Sequence, residues 1–86
     1  MTYSIAHLLD TRGLVCPEPV MMLHKTVRTM KVGSVVKVIA SDPSTVRDVP
    51  KFCAFLAHEL LEHSCEEGLF YFHIRKGEQA QTQQAD

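Results

Sequence analysis

Apolar residues recur at helical spacing in the segment from Pro17 to Lys31. Val20, Leu23, Val27 and Met30 are three or four positions apart, so on a helix they would form one apolar stripe. The spacing therefore predicts a helix over this segment, with the stripe facing a core.

Two segments on either side of this helix have the composition of strands. His7–Thr11 precedes it and ends at Arg12-Gly13, and Val35–Ala40 is a largely β-branched run, which is typical of a strand covered on at least one face. Strand, helix and strand in this order predict a βαβ unit, in which the two strands are parallel and the crossover is right-handed.

The middle of the chain predicts a second helix that a proline interrupts. Ser41–Ser44 is a turn signal followed by a helix start, and Pro50 follows soon after. We therefore expect a first helical turn at Ser44–Asp48 and a main helix from Pro50 to Glu59. On this helix Cys53 shares a face with apolar residues, so it is predicted to be a core residue.

The last part of the chain predicts a β-hairpin. Leu69–Lys76 alternates apolar and polar residues, as a half-buried strand does, with Leu60–Cys65 as its partner and Glu66–Gly68 as the turn. The elements together predict an α+β fold: a two-layer α/β sandwich in the order βαβαββ, with two helices on one face of a four-stranded mixed sheet. Residues 1–77 would form this single domain, and residues 78–86 a disordered tail.

The composition limits the possible classes of protein. The chain has 86 residues, of which 45% are hydrophobic, and a formal net charge of -1, which suits one small core and gives no electrostatic reason for nucleic-acid binding. No apolar run is long enough for a membrane span, and the N-terminus lacks a signal-peptide pattern. Because the three cysteines cannot all pair within the chain, the reducing cytoplasm is the expected location.

The tetrapeptide Cys16-Pro17-Glu18-Pro19 is the strongest chemical signal in the sequence. Prolines are tolerated in the first helical turn, so Cys16 is predicted at the N-cap of the first helix, where the helix dipole favours a thiolate. Gly13 would let the backbone turn so that the sulfur reaches the surface, whereas Glu18 would oppose ionisation. The alternative is a buried structural cysteine. The position at a helix start favours the reactive interpretation.

Dithiol and metal chemistry have less support. No Cys-x-x-Cys or His-x-x-x-His pair occurs, so no metal or other cofactor is expected. Cys53 is predicted in the core and Cys65 in the hairpin, which leaves Cys16 as a single exposed thiol. One thiol is enough to accept a sulfur atom as a persulfide and pass it to another thiol.

Three stretches of the chain resemble the TusA family of sulfur carriers, also called SirA-like. They are LDTRGLVCPEPVMMLHKTVR, SDPSTVRDVPKFC and the hairpin end Ile74–Gly77. The Cys-Pro-x-Pro motif within Leu-Asp-x-x-Gly-Leu-x-Cys is specific to this family. The resemblance extends from Leu9 to Gly77, which is nearly the whole domain.

The resemblance implies a βαβαββ sandwich that carries sulfur as a persulfide on Cys16. The donor would be an IscS-type cysteine desulfurase, and the acceptor a TusBCD-like relay for 2-thiouridine formation at the tRNA wobble position. Molybdenum-cofactor assembly or a DsrEFH-type system are other destinations. The protein would act through sulfurtransferase half-reactions rather than as a stand-alone enzyme, and neither direct nucleic-acid contact nor a membrane is expected.

A sulfur carrier must present its sulfur to partner proteins, so the rim around Cys16 is expected to dock them. The predicted docking residues are Glu18, Met21 and Met22. Met22 lies opposite the apolar stripe and Met21 beside it, and an exposed thioether adapts to several partners. Glu18 would be a charged rim contact. Alternatively, the two methionines cover the hairpin or the second helix.

Two other functions remain open. A thiol-based redox regulator would need Cys16 to pair with Cys53 or Cys65. An RNA-interaction module is the second possibility, because small βαβαββ sandwiches can serve that use, and its salt-dependent binding would not depend on Cys16.

Overall fold

A computed structural model describes residues 3–78 of the chain. The elements are β1 (Ile5–Thr11), α1 (Glu18–Thr29), β2 (Val35–Ala40), α2 (Thr45–Phe55), β3 (Glu59–Glu66) and β4 (Leu69–Arg75). The four strands form one mixed sheet in the order β1-β2-β4-β3. The predicted α+β sandwich is confirmed. The tail predicted over residues 78–86 lies outside the described residues, except for Glu78.

The parallel pairing of β1 with β2 brings two loops together at one end of the sheet. Thr11, the last residue of β1, lies opposite Ala40, the last residue of β2. Because parallel strands have their carboxyl ends at the same edge, the loops over residues 12–17 and 41–44 are neighbours. β4 pairs antiparallel with both β2 and β3.

The apolar stripe predicted for α1 lies in the core. Leu23, Val27 and Met30 are at most 4% exposed, and Val20 packs against them as a partly buried residue. The sheet contributes the buried residues Leu9, Val36, Val38, Phe72 and Ile74 to the same cluster. α1 is shorter than predicted, because it ends at Thr29 and Met30 is its extended C-cap. Burial of the stripe fixes which residues of α1 face solvent.

α2 is one continuous helix, so the prediction of a separate turn and main helix is wrong. Pro50 lies inside it and removes one intrahelical hydrogen bond, the one to the carbonyl of Val46. A proline inside a helix costs about 3 kcal/mol. Packing of the buried face outweighs that cost; the buried residues are Thr45, Val49, Phe52 and Cys53. The prediction that Cys53 lies in the core is confirmed.

α2 ends at Phe55 rather than at the predicted Glu59. Ala57 has a left-handed backbone with a φ of 60°, and the N–H of His58 donates to the carbonyl of Cys53 at 2.8 Å. Together they form a Schellman motif, which stops the helix. Glycine is the usual residue at the left-handed position, and the alanine here gives no such signal in the sequence. Glu59 begins β3 instead.

The predicted hairpin of β3 and β4 is present, with a tighter turn. Glu67 and Gly68 both have positive φ, at 50° and 81°, which is typical of a type I′ turn. Glu66 therefore belongs to β3, and β4 ends at Arg75. β3 is an edge strand with mostly exposed residues, among them Cys65.

Candidate functional site

The loop after β1 turns at Gly13. Gly13 has a φ of 88°, which glycine adopts without the steric cost of a side chain. The N–H of Leu14 closes the turn on the carbonyl of Thr11 at 3.1 Å. The N–H of Gly13 donates to Oγ of Ser41 at 2.9 Å. This bond joins the loop after β1 to the loop after β2.

Cys16 lies in a second turn, just before α1. The N–H of Glu18 closes this turn on the carbonyl of Val15 at 2.9 Å, and the Cys16–Pro17 peptide bond within it is cis. Pro17 is the N-cap, and Glu18 is the first helical residue. The predicted N-cap position of Cys16 is therefore wrong by one residue, because the turn uses Cys16 and Pro17 as its central pair. Cys16 is exposed.

Asp42 holds the backbone of Cys16. Its carboxylate accepts the N–H of Cys16 at 2.6 Å, and it also accepts the N–H and the hydroxyl of Ser44, at 3.1 and 2.9 Å. The hydrogen bonds from Ser44, followed by the one from Cys16, hold the pKa of Asp42 below its ordinary value. Asp42 was not among the predicted site residues. The predicted parallel pairing of β1 and β2 is the signal that would have placed it near Cys16.

The thiol of Cys16 faces a second carboxylate, that of Asp48. Sγ of Cys16 donates a hydrogen bond to Oδ2 of Asp48, with the two atoms 3.4 Å apart. The other oxygen, Oδ1, accepts a hydrogen bond from Nε of Arg47 at 3.2 Å. Asp48 belongs to the first turn of α2, and its side chain is 23% exposed. Nothing in the local sequence marks Asp48 as a site residue, because its contact with Cys16 spans 32 positions.

An apolar groove of about 690 Å³ opens beside Cys16, between α1 and α2. Its lining includes Pro17, which follows Cys16 in the chain, and Asp48, which contacts the sulfur. The other lining residues are Val20, Lys51, Phe52, Ala54 and Phe55. Phe55 is 87% exposed, so its ring is available to a partner.

The predicted site residues on α1 differ in exposure. Pro19 is buried, whereas Glu18 is exposed. Met21 is 61% exposed and Met22 38%, so Met21 presents more of its side chain to solvent than Met22. Both methionines therefore offer apolar surface near the end of α1 that adjoins Cys16.

The other two cysteines lie away from this loop. Cys53 is 2% exposed, and burial raises the pKa of its thiol to about 11, so it is uncharged at neutral pH. Cys65 pairs with Phe70 on β3, at the edge of the sheet opposite β1. All three thiols are free. A disulfide between Cys16 and Cys53 would require the core to open.

The site combines one exposed thiol, two carboxylates and an apolar groove. Within residues 3–78, no group of three or more potential ligands is arranged to hold a metal ion. In the same part of the chain, no helix has the length and apolar character to cross a membrane. A thiol can exchange sulfur with a partner through its own thiolate.

The fold and the site define a small α+β domain that presents one exposed cysteine beside the start of a helix. The sequence profile of the family described as "Sulfurtransferase TusA" matches residues 7–76. The chain therefore belongs to the TusA family, and the resemblance inferred from the sequence is confirmed.

Similar proteins agree with this assignment. A "Sulfur carrier protein TusA" from Pseudomonas aeruginosa (strain LESB58) is 58% identical over 76 residues, which cover 88% of this chain and 96% of that protein. One of the same description from Pseudomonas entomophila (strain L48) is 63% identical over 68 residues, covering 79% and 85%. The crystal structure of a SirA-like protein from Desulfitobacterium hafniense has the same fold, with a TM-score of 0.72 at 24% identity over 84% of this chain and 99% of that one. A sulfur carrier role follows from the family.

Proposed function

We propose that this protein carries sulfane sulfur as a persulfide on Cys16. The observation that carries the proposal is the placement of the Cys16 thiol, which is exposed in the turn before α1 with the groove between the two helices beside it. Cys53 is buried in the core and Cys65 lies on an edge strand. Cys16 is therefore the thiol that a partner could reach together with an adjacent apolar surface.

Sulfur acceptance is a thiol–persulfide exchange. The thiolate of Cys16 attacks the terminal sulfur of a persulfide on the donor, a new S–S bond forms, and the S–S bond of the donor breaks. The donor leaves as a thiolate and takes up the proton that Cys16 gave up. In delivery, an acceptor thiolate attacks the terminal sulfur and Cys16 is the leaving group. Neither exchange needs an added oxidant or reductant.

The donor and the acceptor are proposed from the family. The donor is an IscS-type cysteine desulfurase, and the acceptor is a TusBCD-like relay that serves 2-thiouridine formation at the tRNA wobble position in the cytoplasm. A DsrEFH-like relay or molybdenum-cofactor assembly would use the same exchange at Cys16 with a different final product. Transfer takes place through protein–protein contact in each case.

Partner proteins must bury the rim of Cys16, because the two sulfur atoms have to come within bonding distance. We propose Glu18, Met21 and Met22 on α1 as docking residues, with Phe55, which lines the groove, as a contact on α2. Met21 and Phe55 are 61% and 87% exposed, which gives apolar surface on both helices. The thioethers adapt to different partners, and Glu18 contributes a charge that steers the encounter.

The intact mass of the protein tests the proposal. After incubation with a cysteine desulfurase and cysteine, the protein should gain the mass of one sulfur atom, and a reducing thiol should remove it. The loss of two hydrogen atoms would indicate an internal disulfide, as a redox regulator requires. An unchanged mass would refute the carrier proposal.

A further inference from the structure

Asp48 is the hydrogen-bond acceptor for the Cys16 thiol, with its Oδ2 3.4 Å from Sγ. The sulfur exchange described above uses no such carboxylate. We propose that Asp48 is a positioning residue that disfavours ionisation at Cys16: it keeps the proton on Sγ of the empty thiol, and in the loaded carrier its negative charge favours the protonated terminal sulfur of the hydropersulfide. This role rests on the proposed function of Cys16 as the carrier.

The fold fixes the direction of the Asp48 carboxylate. The N–H of Asp48 bonds to the carbonyl of Ser44 at 2.9 Å in the first turn of α2, and Val49, the next residue, is 1% exposed in the core. Arg47 holds Oδ1, so Oδ2 is left to face the sulfur. Asp42 directs its oxygens to the backbone of Cys16 and to Ser44. The two carboxylates therefore have different tasks.

The charged groups near the sulfur come from three segments. They are Glu18, two residues after Cys16 at the start of α1, Asp42, which accepts the N–H of Cys16, and three residues of α2: Asp48 at the sulfur, Arg47 bound to Asp48, and Lys51 in the groove. The Arg47 contact is to the oxygen of Asp48 that does not face Sγ, and its side chain is 65% exposed. A negative charge on the sulfur would therefore lie directly against the charge of Asp48, and two like charges about 4 Å apart repel each other even in water.

Protonation also affects how readily the loaded carrier delivers its sulfur. The terminal sulfur of a hydropersulfide is open to attack by an acceptor thiolate, whereas an ionised persulfide repels that thiolate. In the loaded carrier Sγ is bonded to the terminal sulfur and has no proton of its own, so Asp48 acts there through its negative charge, which disfavours the ionised terminal sulfur. On delivery, the terminal sulfur moves to the acceptor with its proton. The S–S bond to Cys16 breaks, and the Cys16 thiolate takes a proton from solvent.

Alkylation with iodoacetamide, an uncharged reagent that reacts with ionised sulfur, tests this role. A Cys65→Ser background leaves Cys16 as the exposed thiol. In that background Asp48→Asn should react about fivefold faster than the parent at neutral pH, because one adjacent charge is gone. The rates should converge at high pH, where the sulfur is ionised in both proteins. Asp48→Ala is the second variant, and melting temperatures show whether each variant is folded.

Glu59→Gln is the matched control. It removes one negative charge at the end of the sheet away from Cys16. Glu59 pairs with Arg75, and Arg75 pairs with Val35. Val35 is the first residue of β2, whereas Cys16 lies in the loop at the opposite end of the parallel strands. This variant should react like the parent. Faster reaction of Glu59→Gln by the same factor would overturn the proposal, since it would show an effect of net charge rather than of Asp48.

The loaded protein provides a second arm. After chemical loading with polysulfide, Asp48→Asn should be alkylated faster than the parent at neutral pH, in a product that retains both sulfur atoms. The role of Asp48 would be refuted by equal alkylation rates of variant and parent in both arms, or by a rate difference that persists at high pH. Neither result would argue against sulfur transfer by Cys16. If the parent takes no sulfur from a desulfurase, the proposed function fails, and the empty-thiol arm still decides on Asp48.

Discussion

Gly77 donates its backbone N–H to Nδ1 of the buried His58 at 2.9 Å, which ties the end of β4 to the end of α2. His58 is 7% exposed and stacks on Phe52, with ring centroids 5.5 Å apart. Because Nδ1 accepts a hydrogen bond, the neutral ring carries its proton on Nε2, which has no partner among the described residues. Burial, and then the charges of Lys76 and His24, lower the pKa of His58.

Stability should therefore fall as the solution is acidified below the ordinary histidine pKa of 6.5. The unfolded chain binds a proton at that pH, whereas folded His58 binds one only at lower pH, so acid favours the unfolded state. The contribution of His58 is fully present above pH 6.5 and is lost as the pH falls through the folded pKa. Urea unfolding between about pH 8 and pH 5 should show the decline, and His58→Phe should reduce it. The exposed His63 is the control: His63→Gln should keep the slope of the parent, and an undiminished slope in His58→Phe would rule out this assignment.

Ala57→Gly should stabilise the protein by about 1 kcal/mol, because a residue with a side chain is strained at the left-handed position of Ala57 and glycine is not. The same change at Ala54, an exposed position within α2, should destabilise it by about 1 kcal/mol. Urea unfolding of the two variants gives the comparison. Destabilisation by both substitutions would be inconsistent with the Schellman end of α2.

Cys53→Ala should destabilise the domain by about 1 kcal/mol, because it opens a small void where a 2% exposed side chain now packs. The variant should still take up sulfur. Cys65→Ala, on the exposed edge strand, should leave the free energy of unfolding nearly unchanged. A Cys53→Ala protein of normal stability that fails to take up sulfur would place Cys53 in the transfer chemistry instead of the core.

Met22→Glu should slow sulfur acceptance and delivery with little change in melting temperature, and Met21→Glu should do so more strongly, because Met21 is more exposed. Val32→Glu is the control, since Val32 is 54% exposed beyond the other end of α1. Transfer rates are measured beside melting temperatures for all three variants. Unchanged rates for both methionine variants would remove them from the docking surface, and a large fall in melting temperature would place them in the core.

The parts of the fold with a repeated local pattern could be predicted from the sequence. The stripe of α1 and the alternation of β4 depend only on spacing along the chain. The prediction for α2 was wrong about a break before Pro50 and about the C-terminal end, because local preference and the observed backbone disagree at both places. Pro50 disfavours a helix, yet the buried face holds it, and Ala57 adopts a positive φ that the sequence signals only when the residue is glycine.

Cys16 could be identified from its own tetrapeptide, whereas neither carboxylate is marked by the residues next to it in the sequence. Asp42 and Asp48 are 26 and 32 positions away from Cys16. The parallel pairing of β1 and β2 brings Asp42 to Cys16, whereas the Asp48 contact depends on how the start of α2 sits against the start of α1. The groove beside the sulfur likewise exists only when both helices are packed. Cys16 lies one residue before the N-cap because it is a central residue of the turn that Val15 and Glu18 close. Helix propensities do not predict such a turn.

The most direct test of the central claim uses variants in which one cysteine is replaced. Each is incubated with a cysteine desulfurase and cysteine, and the mass of the intact protein is then measured. Cys16→Ser should fold normally and stay at its unmodified mass, because the exposed thiol of the turn is the one that holds the sulfur. Cys65→Ser, with Cys16 intact, should gain one sulfur atom as the parent does. Full loading of a folded Cys16→Ser protein would contradict the account.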